Sequence, residues 1–355
     1  MDLNEEGAKG RVILSTMQSN DFEDDDYSPV TRQNVGAAAQ PNEAVVIKVP
    51  LSLAGSRFDA ALASLFPDYS RSRLAVLVKS GDIRLNGEIA TPKTKVMGTE
   101  LIQANLKPRD EDNAFQAEDL PLNVVFEDDD IVVINKQPNL VVHPAAGNWS
   151  GTVLNGILHR YPETASVPRA GIVHRLDKDT SGLMVIARNE AAQFALVRQL
   201  QAHTVSRRYA ALVRGHVLAD GTVDAPIGRH PRERVKMSVV NSNGLGAGKP
   251  AITHYTIEES YAFHTLVECR LETGRTHQIR VHMASIGFPL EGDSVYGKGL
   301  KGLTPVLHYA VTGFGRQALH AKALAFEHPK TKKTVAFASP IPEDMQTLIE
   351  AVAEV

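Results

Sequence analysis

From about Pro121 onward, strand-like apolar runs and helix-like apolar stripes follow one another without a regular strand–helix–strand rhythm. Strand candidates are Ile131–Ile134, Leu183–Ala187, Tyr209–Val213 and Thr265–Leu271; helix candidates are Thr152–Leu158, Ala191–Gln201, His277–Ser285 and Glu343–Val352. Such an order favours an α+β domain with a large mixed, mainly antiparallel sheet. At roughly 150 residues per domain, 355 residues leave room for about two domains and a remainder. No internal repeat is found.

Ahead of that domain, residues 44–106 read as a small α/β module. Val45-Val46-Ile47 with Val49 suggests a strand. Phe58, Leu62, Leu65 and Phe66 form the apolar stripe of a helix that Pro67 stops. Ser70 can cap a second helix carrying Leu74, Leu77 and Val78, and Gly81 ends it. Ile83 to Ile89, with Asn86-Gly87 at its centre, reads as a hairpin with a type I′ turn. Arg71 and Arg73 begin the second helix, where a cation opposes the macrodipole. They are either a solvated helix end or a landing place for phosphate; Arg84 follows on the hairpin side.

Charge is unevenly spread. Residues 1–43 carry nine acids and three bases, while 44–106 carry eight bases and five acids. The first stretch, with Asp24-Asp25-Asp26, reads as a disordered acidic tail; residues 107–120 read as a polar linker to a domain spanning 121–355. The folded parts are mildly basic, which is compatible with nucleic acid. One cysteine, Cys269, excludes an internal disulfide and any zinc site built on several cysteines. No apolar run nears the ~18 residues of a membrane span, and a cytoplasmic location is expected.

Three segments can carry chemistry. In "GIVHRLDKDTSGLMVIAR" two apolar stretches flank a polar loop from Arg175 to Ser181. A carboxylate on such a loop is held by rigid walls. Asp177 is either a reacting group or the structural partner of Arg175. In "LETGRTHQIRVHMASIGFP", Thr276 can cap a short helix running to Gly287, with His277 and Arg280 on one face. Arg280 either takes a carboxylate partner, for which Asp177 is the candidate, or reaches solvent. His277 and His282 lack HExxH spacing, so no metal site is expected. In "SRRYAALVRGH", Tyr209 opens a strand and by itself reads as a rim aromatic. "NGLGAGKP" misses the phosphate-loop pattern at both ends and reads as a hairpin loop. Cys269, inside "TLVECRL", reads as a buried strand residue.

Taken together, "HRLDKDTSGLMV", "RRYAALV" and "ETGRTHQIRVHMA" resemble the RluA-type family of RNA pseudouridine synthases. "SRFDAALASLFPDYSRSRLAVLVKSGDIRLNGE" resembles the S4 RNA-binding module that precedes it in the large-subunit ribosomal branch of that family. The resemblance implies isomerisation of chosen uridines without metal, redox or nucleotide cofactor. The partner it implies is large-subunit ribosomal RNA, free or in an assembling particle. It places the catalytic aspartate on Asp177, the salt-bridging arginine on Arg280 and the active-site tyrosine on Tyr209. A guanidinium beside a carboxylate favours its charged form. The target uridine would have to leave its stack, at a cost of a few kcal/mol. Arg175, Lys178, Arg229 and Arg275 would hold the RNA backbone and offset that cost, with Arg71, Arg73 and Arg84 contributing from the S4-like module. One segment departs from the family: "NKQPNLVVHP" stands where "NKPAGLVVHP" is usual, so Asn139 replaces glycine. Asparagine tolerates left-handed backbone, so the turn can survive. The competing readings are a non-catalytic rRNA-binding assembly factor and a base-excising glycosylase.

Overall fold

A computed structural model describes residues 45–106, 114–145, 147–233, 236–240, 248–297, 299 and 301–355. The acidic tail, residues 107–113 of the linker and residues 243–247 of the glycine-rich loop lie outside the described residues.

In the first module the chain runs β1 (Val45–Lys48), α1 (Phe58–Leu65), α2 (Arg71–Ser80), β2 (Ile83–Leu85) and β3 (Leu101–Ala104). Ser70 caps α2 by accepting the Arg73 amide, and Gly81 ends it at φ 79. Asn86 and Gly87 both take positive φ, 52 and 82, as a type I′ turn requires. The expected second hairpin arm is reduced to a single bridge, Leu85 to Glu88; β3 pairs with both β2 and β1 instead. Phe58, Leu62, Leu74, Leu77, Val78, Ile83 and Ile102 fill the core between helices and sheet.

The larger part continues with β4 (Val124–Glu127), β5 (Ile131–Lys136), α3 (Val153–Arg160), β6 (Ser181–Ala187), α4 (Glu190–Gln201) and β7 (Ser206–Arg214). After them come β8 (Gly221–Asp224), β9 (Ile227–Arg229), β10 (Met237–Val239), β11 (Ile252–Ser260), β12 (His264–Leu271) and α5 (Gln278–Ser285). The last elements are α6 (Pro305–Phe314), β13 (Leu319–Glu327), β14 (Thr334–Ala338) and α7 (Glu343–Ala353). Among the described residues, nine strands form one sheet in the order β4-β5-β6-β13-β7-β12-β11-β8, with β14 beside β13; β9 and β10 form a separate ribbon. All its strand pairs are antiparallel except β6 with β13. The fold is therefore the expected α+β class.

Both faces of the central strands are covered, which explains why their sequences are continuous apolar runs. Alternate residues point to opposite faces. Ile134, Met184, Ile186, Tyr209, Ala211 and Val213 pack with α3 and α5. Ile131, Val133, Leu183 and Val185 pack with α4, and Ala210 and Leu212 with α6 and α7. Cys269 is fully buried in β12, as expected. Asn155 of α3 donates to the carbonyls of Ala114 and Gln116, at 3.3 and 2.8 Å, and so pins the chain that enters this domain.

Candidate active site

The loop from Arg175 to Ser181 joins an isolated bridge, Ile172 to Ile186, to the start of β6. Two glycines frame it. A Cβ on Gly171 would fall 1.7 Å from the Ala187 carbonyl oxygen, and one on Gly182 would fall 2.4 Å from that of Ala321. Both also take positive φ, so side chains are excluded on two grounds. His174 Nε2 accepts the Val185 amide at 3.1 Å, and burial holds its pKa down at about 3, so it serves as a neutral acceptor.

Two buried cations grip the loop by its carbonyls. Lys136 Nζ donates to the carbonyls of Gln137, Leu140 and Lys178, each at 2.9 Å. Three acceptors match the three protons of an ammonium. Burial pulls its pKa down to about 7 against the opposing fields of Asp177 and Asp179. Arg316 Nη1 donates to the Asp179 carbonyl at 3.1 Å while its other edge forms a bidentate pair with Asp344 of α7, at 2.8 and 3.0 Å. Gln317 Nε2 donates to Thr180 Oγ1 at 3.1 Å, and Ser181 Oγ lies 3.0 Å from His320 Nδ1. Asn139 carries the turn beneath Lys136 at φ 61, as its tolerance of left-handed backbone allows.

Asp177 leaves this loop half-buried and meets α5. Arg280 Nη1 lies 2.9 Å from Asp177 Oδ2, so the carboxylate pairs with Arg280 and not with the neighbouring Arg175. The other edge of the guanidinium is held by Asp293, with Nε to Oδ2 at 2.7 Å and Nη2 to Oδ1 at 3.1 Å. Burial opposes the charge on Arg280, but the contacts with Asp293 and Asp177 reverse that and raise its pKa. Asp293 Oδ1 also accepts the amides of Val295 and Tyr296, which fixes the turn bearing Tyr296. The Arg280 guanidinium stands over the Tyr296 ring, 5.2 Å from its centroid. His277 Nε2 lies 4.0 Å from Asp177 Oδ1.

Tyr209 lies on the face of β7 that carries this site, only 6% exposed, so it is a core aromatic and not a rim one. Burial raises its phenol pKa; Arg207 acts against this and Asp177 with it. Arg207, two residues before it, is buried and donates to the Glu272 carbonyl at 3.1 Å; its Nε has no partner among the described residues.

The expected cap of α5 needs correction. Its N-cap is His277, in left-handed backbone, and Thr276 lies before it. The preceding turn is closed by the buried Gln278 side chain, whose Oε1 accepts from Thr273 Oγ1 and the Arg275 amide at 2.7 and 2.9 Å.

Of the residues expected to touch RNA, Arg175 and Lys178 are exposed on the Asp177 loop and Arg229 on β9. Arg275 is half-buried and donates to the Pro250 carbonyl at 3.1 Å. Arg71 is engaged with buried Asp59 at 2.9 Å, and Arg71 with Arg57 holds that carboxyl at about 2. Arg73 has a buried Nε without a partner among the described residues. Arg84 reaches the carbonyls of Gly81 and Gly87, both at 3.3 Å. Asp128, Asp130 and His328 also converge, yet His328 Nε2 already meets Asp128 Oδ2 at 2.8 Å, and Asp128 Oδ1 accepts two amides.

Lys136, Asp293, Tyr296 and Arg316 did not stand out in the sequence. A lysine closing the apolar run "IVVINK" was the available signal for the first. "EGDSVYG" offered a turn but no hint of which carboxylate faces Arg280.

A carboxylate clamped by a buried arginine, with a buried tyrosine on the neighbouring strand, agrees with the comparisons to known proteins. Residues 130–285 match the RNA pseudouridylate synthase family and residues 56–102 the S4 domain. The chain is 48% identical over 338 residues to a ribosomal large subunit pseudouridine synthase D of Neisseria meningitidis serogroup A, covering 95% of this chain and 89% of that protein. It is 52% identical over 309 residues to the synthase D of Xanthomonas campestris pv. campestris, covering 86% of this chain and 92% of that one. A solved structure, human RNA pseudouridylate synthase domain containing 4, is similar at TM-score 0.51 and 22% identity. That match covers 65% of this chain and 92% of the human one, and it speaks for the fold alone. The chain belongs to the RNA pseudouridylate synthase family, and it is an isomerase acting on RNA. Within the family its similarity runs along nearly its whole length to synthases named D, S4 domain included. Among the described residues no helix is long and apolar enough to cross a membrane.

Proposed function

We propose that the protein isomerises specific uridines of large-subunit ribosomal RNA to pseudouridine, with Asp177 as the reacting carboxylate. The observation that carries this reading is the Asp177–Arg280 ion pair, at 2.9 Å, inside a half-buried site. In the reaction the N1–C1′ bond breaks, the uracil turns, and C5 bonds to C1′. C5 releases a proton and N1 takes one up, so the product has the composition of the substrate. Asp177 serves as nucleophile or base on the nucleotide, and Arg280, anchored by Asp293, fixes the carboxylate as a positioning residue.

Tyr209 supplies a face on which the extruded uracil stacks and a hydroxyl beside its C5. A phenol with a raised pKa is a hydrogen-bonding group and not a free phenolate. Arg175, Lys178, Arg229 and Arg275 grip the backbone around the flipped nucleotide, and Arg73 and Arg84 of the S4-like module contact RNA phosphates. Arg71 divides its charge between that task and Asp59. The proposed division is an S4-like module at 44–106, a linker at 107–120 and a catalytic domain over 121–355. Similarity to synthases named for the ribosomal large subunit supports the choice of RNA, and nothing favours a non-catalytic assembly factor.

The test is tritium release from C5-labelled uridine in large-subunit rRNA, with pseudouridine mapping of the product. Wild-type protein releases tritium without free uracil; Asp177→Asn binds RNA and releases none. Free uracil would instead mark a glycosylase, and full activity in Asp177→Asn would overturn the assignment of the reacting group.

A further inference from the structure

His277 is the N-cap of α5, at φ 55 and ψ 24, a conformation that non-glycine residues seldom adopt. Its side chain makes no cap bond to the helix, so capping does not account for the strained backbone. The imidazole is fixed from the other side. Its Nδ1 lies 2.8 Å from the Tyr296 hydroxyl, and that hydroxyl accepts the Met237 amide of β10 at 2.9 Å. The two rings meet edge to face, with centroids 5.7 Å apart.

This arrangement suits one tautomer, with the phenol donating to Nδ1. A phenol oxygen that accepts an amide N–H has its own proton left to donate, and Nδ1 is the acceptor in reach. The ring proton then resides on Nε2, which faces Asp177 Oδ1 from 4.0 Å, too far for a hydrogen bond. The opposite tautomer would turn a lone pair toward a carboxylate. Burial lowers the His277 pKa, Asp177 opposes this, and the nearby Arg280 and Arg175 cations reinforce it, with Asp293 against. The ring is thus a neutral donor with its N–H aimed beside the reacting carboxylate.

We infer that His277 donates its Nε2–H to a carbonyl oxygen of the target uracil as the glycosidic bond breaks. This rests on Asp177 being the group that reacts with the nucleotide. When N1–C1′ cleaves, the electron pair leaves with the base and spreads onto its carbonyl oxygens. A fixed N–H there gains strength as charge develops, so it acts on the rate more than on binding. Tyr296 is then a positioning residue that holds the tautomer.

The experiment is single-turnover tritium release and equilibrium RNA binding by the full-length protein on a C5-labelled large-subunit rRNA transcript. His277→Asn keeps a residue tolerant of positive φ but is too short to deliver its amide. It is expected to slow the saturating rate roughly 10- to 100-fold with RNA affinity within about twofold. His277→Gln, whose amide reaches farther, restores part of the rate. Tyr296→Phe slows the reaction less, and adding it to His277→Asn costs nothing more, because the lock has lost its object. A wild-type saturating rate in His277→Asn, while Asp177→Asn is inert, overturns the inference and leaves the proposed function standing. A purely affinity-based defect overturns it too. Activity in Asp177→Asn would instead remove the reading on which both depend.

Discussion

Asp293→Asn isolates what holds the Asp177 carboxylate in place. Arg280 is 6% exposed and is bound on one edge by two Asp293 oxygens and on the other by Asp177. Replacing Asp293 by its amide keeps the shape and one carbonyl acceptor for the Val295 and Tyr296 amides but removes the charge. Breaking a buried ion pair costs about 3–5 kcal/mol. The remaining Asp177 contact limits the loss, so about 3 kcal/mol is expected. In a folded unit of this size 1 kcal/mol moves Tm by about 2–4 °C, so the melting temperature should fall by roughly 6–12 °C. The freed guanidinium can turn to chelate Asp177 with both of its outer nitrogens, which withdraws the carboxylate from substrate. At a temperature where the variant is fully folded, single-turnover tritium release should therefore drop about tenfold or more, with RNA affinity unchanged. An Asp293→Asn protein that melts with wild type and isomerises at the wild-type rate would refute the claim that Asp293 anchors Arg280.

Glu291 supplies the clearest pH dependence. Burial opposes its charge, but His264 and Arg214 bring its pKa from 4.5 to about 2. A lowered carboxylate pKa gives stability that is full above about 4.5 and is lost as pH falls through about 2. The shift corresponds to about 3 kcal/mol. Glu291→Gln should flatten the acid limb of a stability-versus-pH curve; an unchanged limb would show that this carboxylate is not the group titrating there. Arg73→Ala should weaken RNA binding and lower the log–log salt slope by about one, as loss of one phosphate contact requires. An unaltered slope would mean that Arg73 meets no phosphate. Gly182→Ala should fail to accumulate as folded protein, since its Cβ would fall 2.4 Å from the Ala321 carbonyl oxygen; normal yield and Tm would contradict the close approach of β6 and β13.

Local rules were enough to read the elements whose signal lies within ten residues. The stripe from Phe58 to Phe66, the Ser70 cap, the Asn86-Gly87 turn and the apolar cores of β5, β6, β7 and β12 all follow from period and capping. Helix α6 is less legible, although Thr304 caps it, Pro305 opens it and Gly315 closes it. Its exposed Val306 and Tyr309 blur the apolar stripe. The sequence offers Asp177 as the partner of Arg280, because a buried arginine demands a carboxylate, but leaves a solvent-facing Arg280 equally open. The second carboxylate is not legible there, since Asp293 lies in a turn whose place beside α5 is set by the Leu290–Val213 bridge, a tertiary fact. Lys136 acts on backbone carbonyls and leaves no complementary side chain to find in the sequence, and the Asp344 partner of Arg316 lies on a helix brought to it by tertiary packing.

The grip of Arg316, itself paired with Asp344, on the Asp179 carbonyl has a consequence for the order of events during synthesis. Asp177 is translated well before Arg280, Asp293, Arg316 and Asp344. At roughly 5–20 residues per second, the gap to Asp344 amounts to roughly 10–30 s. For most of that interval Lys136 is available to hold the loop and Arg316 is not. The complete set of contacts around the Asp177 loop therefore forms only after α7 has been synthesised.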